Sequence, residues 1–214
     1  MELDNQTSGT GHIVDYNLEE EIFHGIYVSK LVYGLAQTLG LEEAVSKELA
    51  VAGVLHDIGK LKLNRYIYEE DDTLVVEEIK YVRMHAKLSY EILKDQNRYS
   101  DFILESILHH HENYDGSGYP DNLKADAIPL GAKLLRVCDV YAALTSDRPY
   151  RSSFDENSAM ELMIDEVKNF DLRVFLAFQK MIHLDEENFC PTRIKQDCKF
   201  QLNLQNMKTE QTLS

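Results

Sequence analysis

The sequence lacks the features of an exported or membrane-bound protein. Its first twelve residues are polar, and no apolar window in the 214-residue chain approaches the length that spans a bilayer. The cysteines Cys138, Cys190 and Cys198 are odd in number and lack paired spacing, so neither a disulfide framework nor a thiolate zinc site is indicated. We therefore expect a cytoplasmic protein without a membrane partner.

Basic residues are also scarce. Lys and Arg number 22 against 37 Asp and Glu, and the formal net charge of -15 disfavours binding to a nucleic-acid polymer. Divalent cations held in an acidic cleft would reverse the local field, however, so small phosphate esters remain candidate ligands.

Apolar residues recur at three- and four-residue steps through most of the chain, which predicts helices. The predicted helices cover residues 13–39, 42–56, 79–93, 101–109, 129–146, 155–168 and 171–183. No convincing alternating pattern predicts a strand, so the fold class is expected to be all-α, as a single-domain helical bundle. Residues 1–12 are interpreted as a flexible lead, 13–184 as the domain and 185–214 as a polar tail.

Several polar residues lie where the helical pattern would bury them. His56 and Asp57 end an apolar helix, and a cation is one of the few partners that relieves a buried carboxylate. The alternative is a polar helix end with Gly59 as the terminal residue. His85 and Asp139 lie between apolar positions, where a hydrogen-bonded core histidine and a buried salt bridge are the ordinary interpretations.

The stretch HHHENYDGSGYP, residues 109–120, adds three consecutive histidines before a glycine-rich turn. Together with the residues above, it supplies a set of nitrogen and oxygen ligands from successive helices. Such a set without thiolate favours iron, manganese or a similar ion. The candidate ligands are His24, His56, Asp57, His85, His110, His111 and Asp139.

The segments HDIGK, HHENYDGSGYP and DVYAALTSDRPYR, with His85 between the first two, resemble the HD-GYP class of HD-domain phosphohydrolases over residues 13–180. The resemblance implies a helical bundle of the HD type. It also implies hydrolysis of the bacterial messenger cyclic di-GMP to pGpG, and onward to GMP in some members. The family works with two or three divalent metal ions, commonly iron, with manganese or another transition metal as the alternative.

The family's metal ligands fall on the seven candidates above, and His109 is surplus. A glutamate one helical turn before the first histidine binds a third metal in some members, and Glu20 has that spacing from His24. The alternative for Glu20 is an exposed acidic face shared with Glu19 and Glu21.

The resemblance also assigns roles around the metals. In two-metal hydrolases, ions about 3.5–4 Å apart activate a water and stabilise the oxygens at phosphorus, and Asp57 is expected to be a metal ligand with a catalytic role. Lys60 would contact non-bridging phosphate oxygens, although a surface lysine is the alternative. Arg148 and Arg151 match the family's phosphate-binding pair. Tyr119 either stacks on a base or pins the turn, and pinning is favoured.

Some positions depart from the family pattern, but none removes a metal ligand. Ala142 replaces a carboxylate one turn after Asp139, while Ala86 and Asn64 replace prolines. One alternative function is therefore a cyclic-dinucleotide sensor with little hydrolysis, and another is an HD-type phosphohydrolase of a different nucleotide. A signalling partner is expected to bind the DGSGYP segment, residues 115–120, called the GYP turn below, or the C-terminal tail.

Overall fold

The computed structural model describes residues 12–13, 18–63, 67–68, 82–147 and 151–196. The predicted lead up to residue 11, Asn64, Arg148 and the last part of the predicted tail therefore lie outside the described residues.

Helices form the architecture, which confirms the all-α fold class. Among the described residues we label eight α-helices: α1 Leu18–Thr38, α2 Glu43–Leu55, α3 His85–Lys94, α4 Asp101–Leu108, α5 Leu130–Thr145, α6 Glu156–Asp165, α7 Leu172–Leu184 and α8 Glu186–Phe189. Residues 191–196 are also helical. Short 3-10 turns cover Ile58–Lys62, Ala125–Ala127 and Val167–Asn169.

One small strand pair was not predicted. Strands β1, His12–Ile13, and β2, Ile67–Tyr68, pair antiparallel. Two residues are too few to show the alternation by which a strand is recognised in a sequence, so the pattern gave no signal.

Local chemistry sets several helix ends. Gly40 follows α1 with a φ of 74°, and the Leu41 amide donates to the Ala36 carbonyl across it, as in a glycine-terminated helix. At the start of α4, the Ser100 hydroxyl accepts from the Ile103 amide. This cap fixes the start of the helix that ends at the histidine triplet.

Helices α1 and α5 pass through the apolar core, and α1 packs along α2. Two glycines allow the close approach of α1 and α2. A Cβ on Gly53 would lie 2.6 Å from the Ser29 Cα, and one on Gly25 would lie 2.7 Å from the Val54 carbonyl oxygen. This contact brings His24 on α1 alongside the end of α2.

The first part of the predicted polar tail packs against the domain. Tyr27 on α1 donates its hydroxyl to the Phe189 carbonyl at 3.1 Å, and Ile194 is only 2% exposed. The packed chain thus continues past residue 184, although the predicted domain boundary itself stays a prediction. Within the described ranges, no helix is both long and apolar enough to cross a membrane.

Candidate metal centre

The seven candidate ligands lie together where four helices and the turn after α4 meet. His24 comes from α1, His85 begins α3 and Asp139 lies within α5, while the remaining four follow the ends of α2 and α4. Their donor atoms form three overlapping groups. Within each group, all donor atoms lie within 4.8 Å of one another. The groups are Asp57 with His85, His110 and His111; His24 with His56 and Asp57; and His56 with His110 and Asp139.

Asp57 lies at the centre of this cluster because its two carboxylate oxygens face different histidines. Oδ1 lies 3.1 Å from His85 Nε2 and 3.9 Å from His110 Nε2. Oδ2 lies 3.3 Å from His56 Nε2 and 3.8 Å from His24 Nε2. A carboxylate placed in this way can serve two neighbouring cations.

Backbone carbonyls orient three of the histidines. The Nδ1 atoms of His56, His85 and His110 lie 2.8, 2.7 and 2.6 Å from the carbonyl oxygens of Gly53, Val82 and Ile107. A carbonyl only accepts, so each Nδ1 carries a proton, and in the neutral ring Nε2 presents a lone pair. This second hydrogen bond is the usual support of a metal-binding imidazole.

Those lone pairs point at one another and at carboxylate oxygens. His85 Nε2 lies 3.4 Å from His110 Nε2 and 2.9 Å from His111 Nε2. His56 Nε2 and Asp57 Oδ1 are buried without a hydrogen-bond partner among the described residues. Converging lone pairs repel unless a cation lies between them, so the donor set fits divalent transition-metal ions.

Without a metal, protons would have to supply this positive charge. Burial lowers the pKa of His56, but Asp57 and Asp139 outweigh it and raise that pKa to about 10. Burial and the neighbouring imidazoles of His56 and His85 lower the pKa of His110 to about 3. Burial disfavours ionised Asp57 and Asp139, yet the surrounding histidines, with Lys60 for Asp57, hold both pKa values well below normal.

Lys60 belongs to the centre and is not a surface lysine. Its side chain is 17% exposed, and Nζ lies 2.5 Å from Asp57 Oδ2 and 3.2 Å from Glu21 Oε2. Burial opposes its charge, but the two carboxylates raise the pKa of the ammonium. A phosphate oxygen near Asp57 would therefore meet a fixed positive charge.

Glu20 is exposed, and the three ligand groups found among the described residues do not include it. Its assignment to a third metal stays a prediction. The neighbouring Glu21 is the acidic residue that reaches the centre, through Lys60. The sequence could not distinguish Glu21 from Glu20 in the run of three glutamates. A helix turns by 100° per residue, and the sequence alone did not fix the rotation of α1.

His109 and Glu112 hold the GYP turn. His109 lies outside the three ligand groups, with its Nε2 3.0 Å from Asp121 Oδ2 and its Nδ1 3.1 Å from the Glu105 carbonyl oxygen. Glu112 is buried, and its Oε1 accepts from the Asp121 amide at 2.7 Å. A Cβ on Gly118 would lie 2.2 Å from the Asn113 amide nitrogen, so the turn must be glycine at this position.

Tyr119 packs on the centre rather than into open space. Its ring stacks on His111 with 4.7 Å between centroids, and the Arg83 guanidinium carbon lies 5.1 Å from the tyrosine centroid. The His111 imidazole and the Arg83 guanidinium therefore already contact the Tyr119 ring. This geometry favours the pinning role over base stacking.

Arg151 has a structural task in this conformation. Its Nη2 donates to the carbonyls of Ala143 at 2.8 Å and Leu144 at 3.3 Å, which caps the C-terminal end of α5. The guanidinium also lies over the Phe154 ring at 4.5 Å. The predicted phosphate contact by Arg151 stays a prediction.

The comparisons with known proteins agree with this geometry. The family model described as HD domain matches residues 7–174. The chain belongs to the HD-domain family. The resemblance drawn from the HDIGK and GYP motifs is thereby confirmed.

Two curated relatives are named for different cyclic dinucleotides. A cyclic di-GMP phosphodiesterase of Pseudomonas aeruginosa is 37% identical over 164 residues, which are 77% of this chain and 40% of that protein. The 3'3'-cGAMP-specific phosphodiesterase 1 of Vibrio cholerae is 35% identical over 166 residues, 77% of this chain and 38% of that protein. The chain thus spans about two fifths of the length of these relatives.

The fold also recurs in a solved structure. Bd1817, described as a HDG"Y"P protein from Bdellovibrio bacteriovorus, aligns with a TM-score of 0.63 at 22% identity. The alignment covers 76% of this chain and 52% of that chain. The helical architecture is therefore that of a known HD-type domain.

Proposed function

We propose that this HD domain is a metal-dependent phosphodiesterase that hydrolyses cyclic di-GMP to pGpG, with GMP as the product of a further cleavage. The observation that carries the proposal is the convergence of five imidazoles on Asp57 and Asp139. Curated relatives named for cyclic di-GMP and for 3'3'-cGAMP support the cyclic dinucleotide as the substrate class.

The seven ligands would hold two divalent ions, and Glu20 remains the proposed ligand of a third if its exposed side chain turns inward. When bound, such ions lower the pKa of water and neutralise charge at phosphorus. We propose iron first and manganese as the alternative, because the donors are nitrogen and oxygen without sulfur.

The protein's own groups would position the substrate. Asp57 and Glu21 hold the Lys60 ammonium at the cluster, where it would bind a non-bridging phosphate oxygen as negative charge develops. Tyr119 and the GYP turn form one wall of the site through the stack on His111. These groups orient the phosphodiester and keep it beside the ligand cluster.

A sensor with little hydrolysis is the second candidate, because Ala142 lacks the carboxylate common in the family. Ala142 is fully buried in the apolar core, one turn after Asp139. The seven candidate ligands nevertheless lie together, which favours the hydrolase.

The test is turnover by protein purified without oxygen and loaded with iron or manganese. Cyclic di-GMP, 3'3'-cGAMP and a linear dinucleotide would be supplied separately, and the products separated by chromatography. We expect hydrolysis of at least one cyclic dinucleotide and none by Asp57→Ala. Tight binding without product would support the sensor, and turnover of other nucleotides alone would support a general phosphohydrolase.

We also propose a cytoplasmic location and a signalling protein as partner, bound through the GYP turn or the C-terminal tail, with no membrane or nucleic-acid polymer involved. Because Phe189 and Ile194 pack on the domain, the informative truncation removes residues 197–214. Unchanged partner binding by the truncated protein would assign the contact to the turn.

A further inference from the structure

Arg136 lies at the edge of the centre, although the sequence gave it no role. It is on α5, three residues before Asp139 and so on the same side of the helix. Its side chain is half-buried, and its Nε donates to Asn113 Oδ1 at 3.1 Å. Within LLRVCDVYAAL an arginine next to apolar residues resembles the polar edge of an amphipathic helix, so no signal distinguished it.

Three other basic groups nearby already have oxygen acceptors. Lys60 pairs with Asp57 and Glu21, and Lys133 pairs with Asp171 at 3.1 Å. Arg151 donates to the carbonyls that end α5. Arg136 differs from these three cations because its described acceptor is the side-chain amide oxygen of Asn113.

In the described part of the chain, no carboxylate oxygen lies within 4.0 Å of the Arg136 guanidinium, and Nε provides its hydrogen bond. A guanidinium has five N–H donors, so those on its terminal nitrogens remain for another acceptor. A half-buried guanidinium that contacts no carboxylate gains charge-assisted hydrogen bonds when a ligand supplies the negative charge.

Chain geometry places this charge beside the candidate site. Arg136 Nε donates to Asn113, which follows the candidate ligand His111 by two residues. Asp139, another candidate ligand, lies one helical turn after Arg136 on α5. The Arg136 side chain is therefore held at the GYP side of the centre.

We propose that the terminal nitrogens of Arg136 bind a phosphate of the substrate, while its Nε holds the GYP turn through Asn113. The inference rests on the proposed function, because it names a contact to that phosphodiester. Guanidinium suits this task, since its planar fork can donate two parallel hydrogen bonds to phosphate oxygens. Arg136 thus supplies a substrate contact that Arg151 does not provide in this conformation.

The experiment compares kcat and KM for cyclic di-GMP in four variants of the metal-loaded protein. Arg136→Gln removes the charge, and Arg136→Lys retains it without the fork. Asn113→Ala removes the acceptor of the Nε bond and also the hydrogen bond that Asn113 Nδ2 donates to Ser117. Arg173→Gln removes an equal charge from an exposed position on α7 and serves as the matched control.

We expect Arg136→Gln to raise KM about 10- to 100-fold, the range for one lost hydrogen bond to a charged group, with metal content unchanged. Arg136→Lys should recover part of the affinity, Asn113→Ala should raise KM less than Arg136→Gln does, and Arg173→Gln should leave KM unchanged. Binding of the product pGpG, measured by calorimetry, should weaken in the same order.

Equal KM values in wild type and both Arg136 variants would overturn this inference and leave the proposed function intact. An equal loss in Asn113→Ala and Arg136→Gln would show that Arg136 only tethers the turn. If Arg136→Gln does not fold, the Arg136→Lys comparison decides, because its KM must lie above that of the wild type. Absence of wild-type turnover on every cyclic dinucleotide would instead remove the proposed function, and this contact with it.

Discussion

The ligand cluster and the substrate-facing rim of the same site are built differently. In the cluster, short side chains leave helices or helix ends, and backbone carbonyls fix the rings of His56, His85 and His110. At the rim, long side chains such as Lys60 and Arg136 can reach several acceptors. The cluster is therefore determined by helix packing, whereas the rim depends on which acceptor each long side chain meets.

The largest expected effect comes from removing the carboxylate at the centre of the cluster. Asp57→Asn should lower metal affinity by more than about 100-fold, because losing even an outer partner of a ligand typically reduces affinity 10- to 100-fold. Metal content after dialysis and turnover would both be measured. Asp95→Asn, at an exposed position after α3, is the control. Full metal retention by Asp57→Asn would contradict the central position of this residue.

The second prediction concerns the backbone that supports the cluster. A Cβ on Gly59 would lie 2.2 Å from the His85 carbonyl oxygen and 2.6 Å from the Ser89 amide nitrogen, and neither backbone atom can move alone. Gly59→Ala should reduce the free energy of unfolding by about 2–4 kcal/mol and weaken metal binding. Urea unfolding of the metal-free and metal-loaded protein would measure both effects.

Gly40→Ala provides the comparison for Gly59. No atom lies within 4 Å of a Cβ there, and only its φ of 74° is unfavourable, so we expect a loss of about 1–2 kcal/mol without a change in metal affinity. Equal effects of the two substitutions on metal binding would show that the contact between the HDIGK turn and α3 does not support the cluster.

The smallest expected effect concerns Glu112, which holds the GYP turn. Burial raises the pKa of its carboxyl group. The folded state then holds this proton at higher pH than the unfolded chain, so the carboxylate reduces stability as pH rises above the normal carboxyl range. The free energy of unfolding of Glu112→Gln, relative to wild type, should therefore increase between about pH 4.5 and pH 8.

The measurement for Glu112 is urea unfolding of the metal-free protein at several pH values. Glu91→Gln, an exposed substitution on α3, controls for general charge effects. Because only the slope with pH is compared, a constant loss from the new amide does not affect the result. Parallel curves for wild type and Glu112→Gln would refute the effect of burial.

The helices and the cluster were predictable because their signals are local. Apolar spacing predicted α1, α2 and α5, and the order of the HD and HHE motifs chose His110 and His111 over His109. The structure then gave His109 a separate bond to Asp121. The helices followed from apolar spacing, whereas the choice among the three histidines came from the resemblance to the HD-GYP motifs.

The rim was not predictable for a physical reason. Arg151 and Arg136 are both long cations near the ends of one motif, yet one caps α5 and the other reaches Asn113. Likewise, Glu21 and not Glu20 meets Lys60. Each outcome depends on helix rotation and on partners distant in sequence, which the spacing of residues does not encode.

Diffraction from metal-loaded crystals, with anomalous scattering to locate the ions, tests the metal centre most directly. We expect at least two metal peaks among the seven candidate ligands, with Asp57 contacting more than one of them. Absence of metal from the cluster under metal-replete conditions, or histidine rings turned away from one another, would contradict the proposed metal centre.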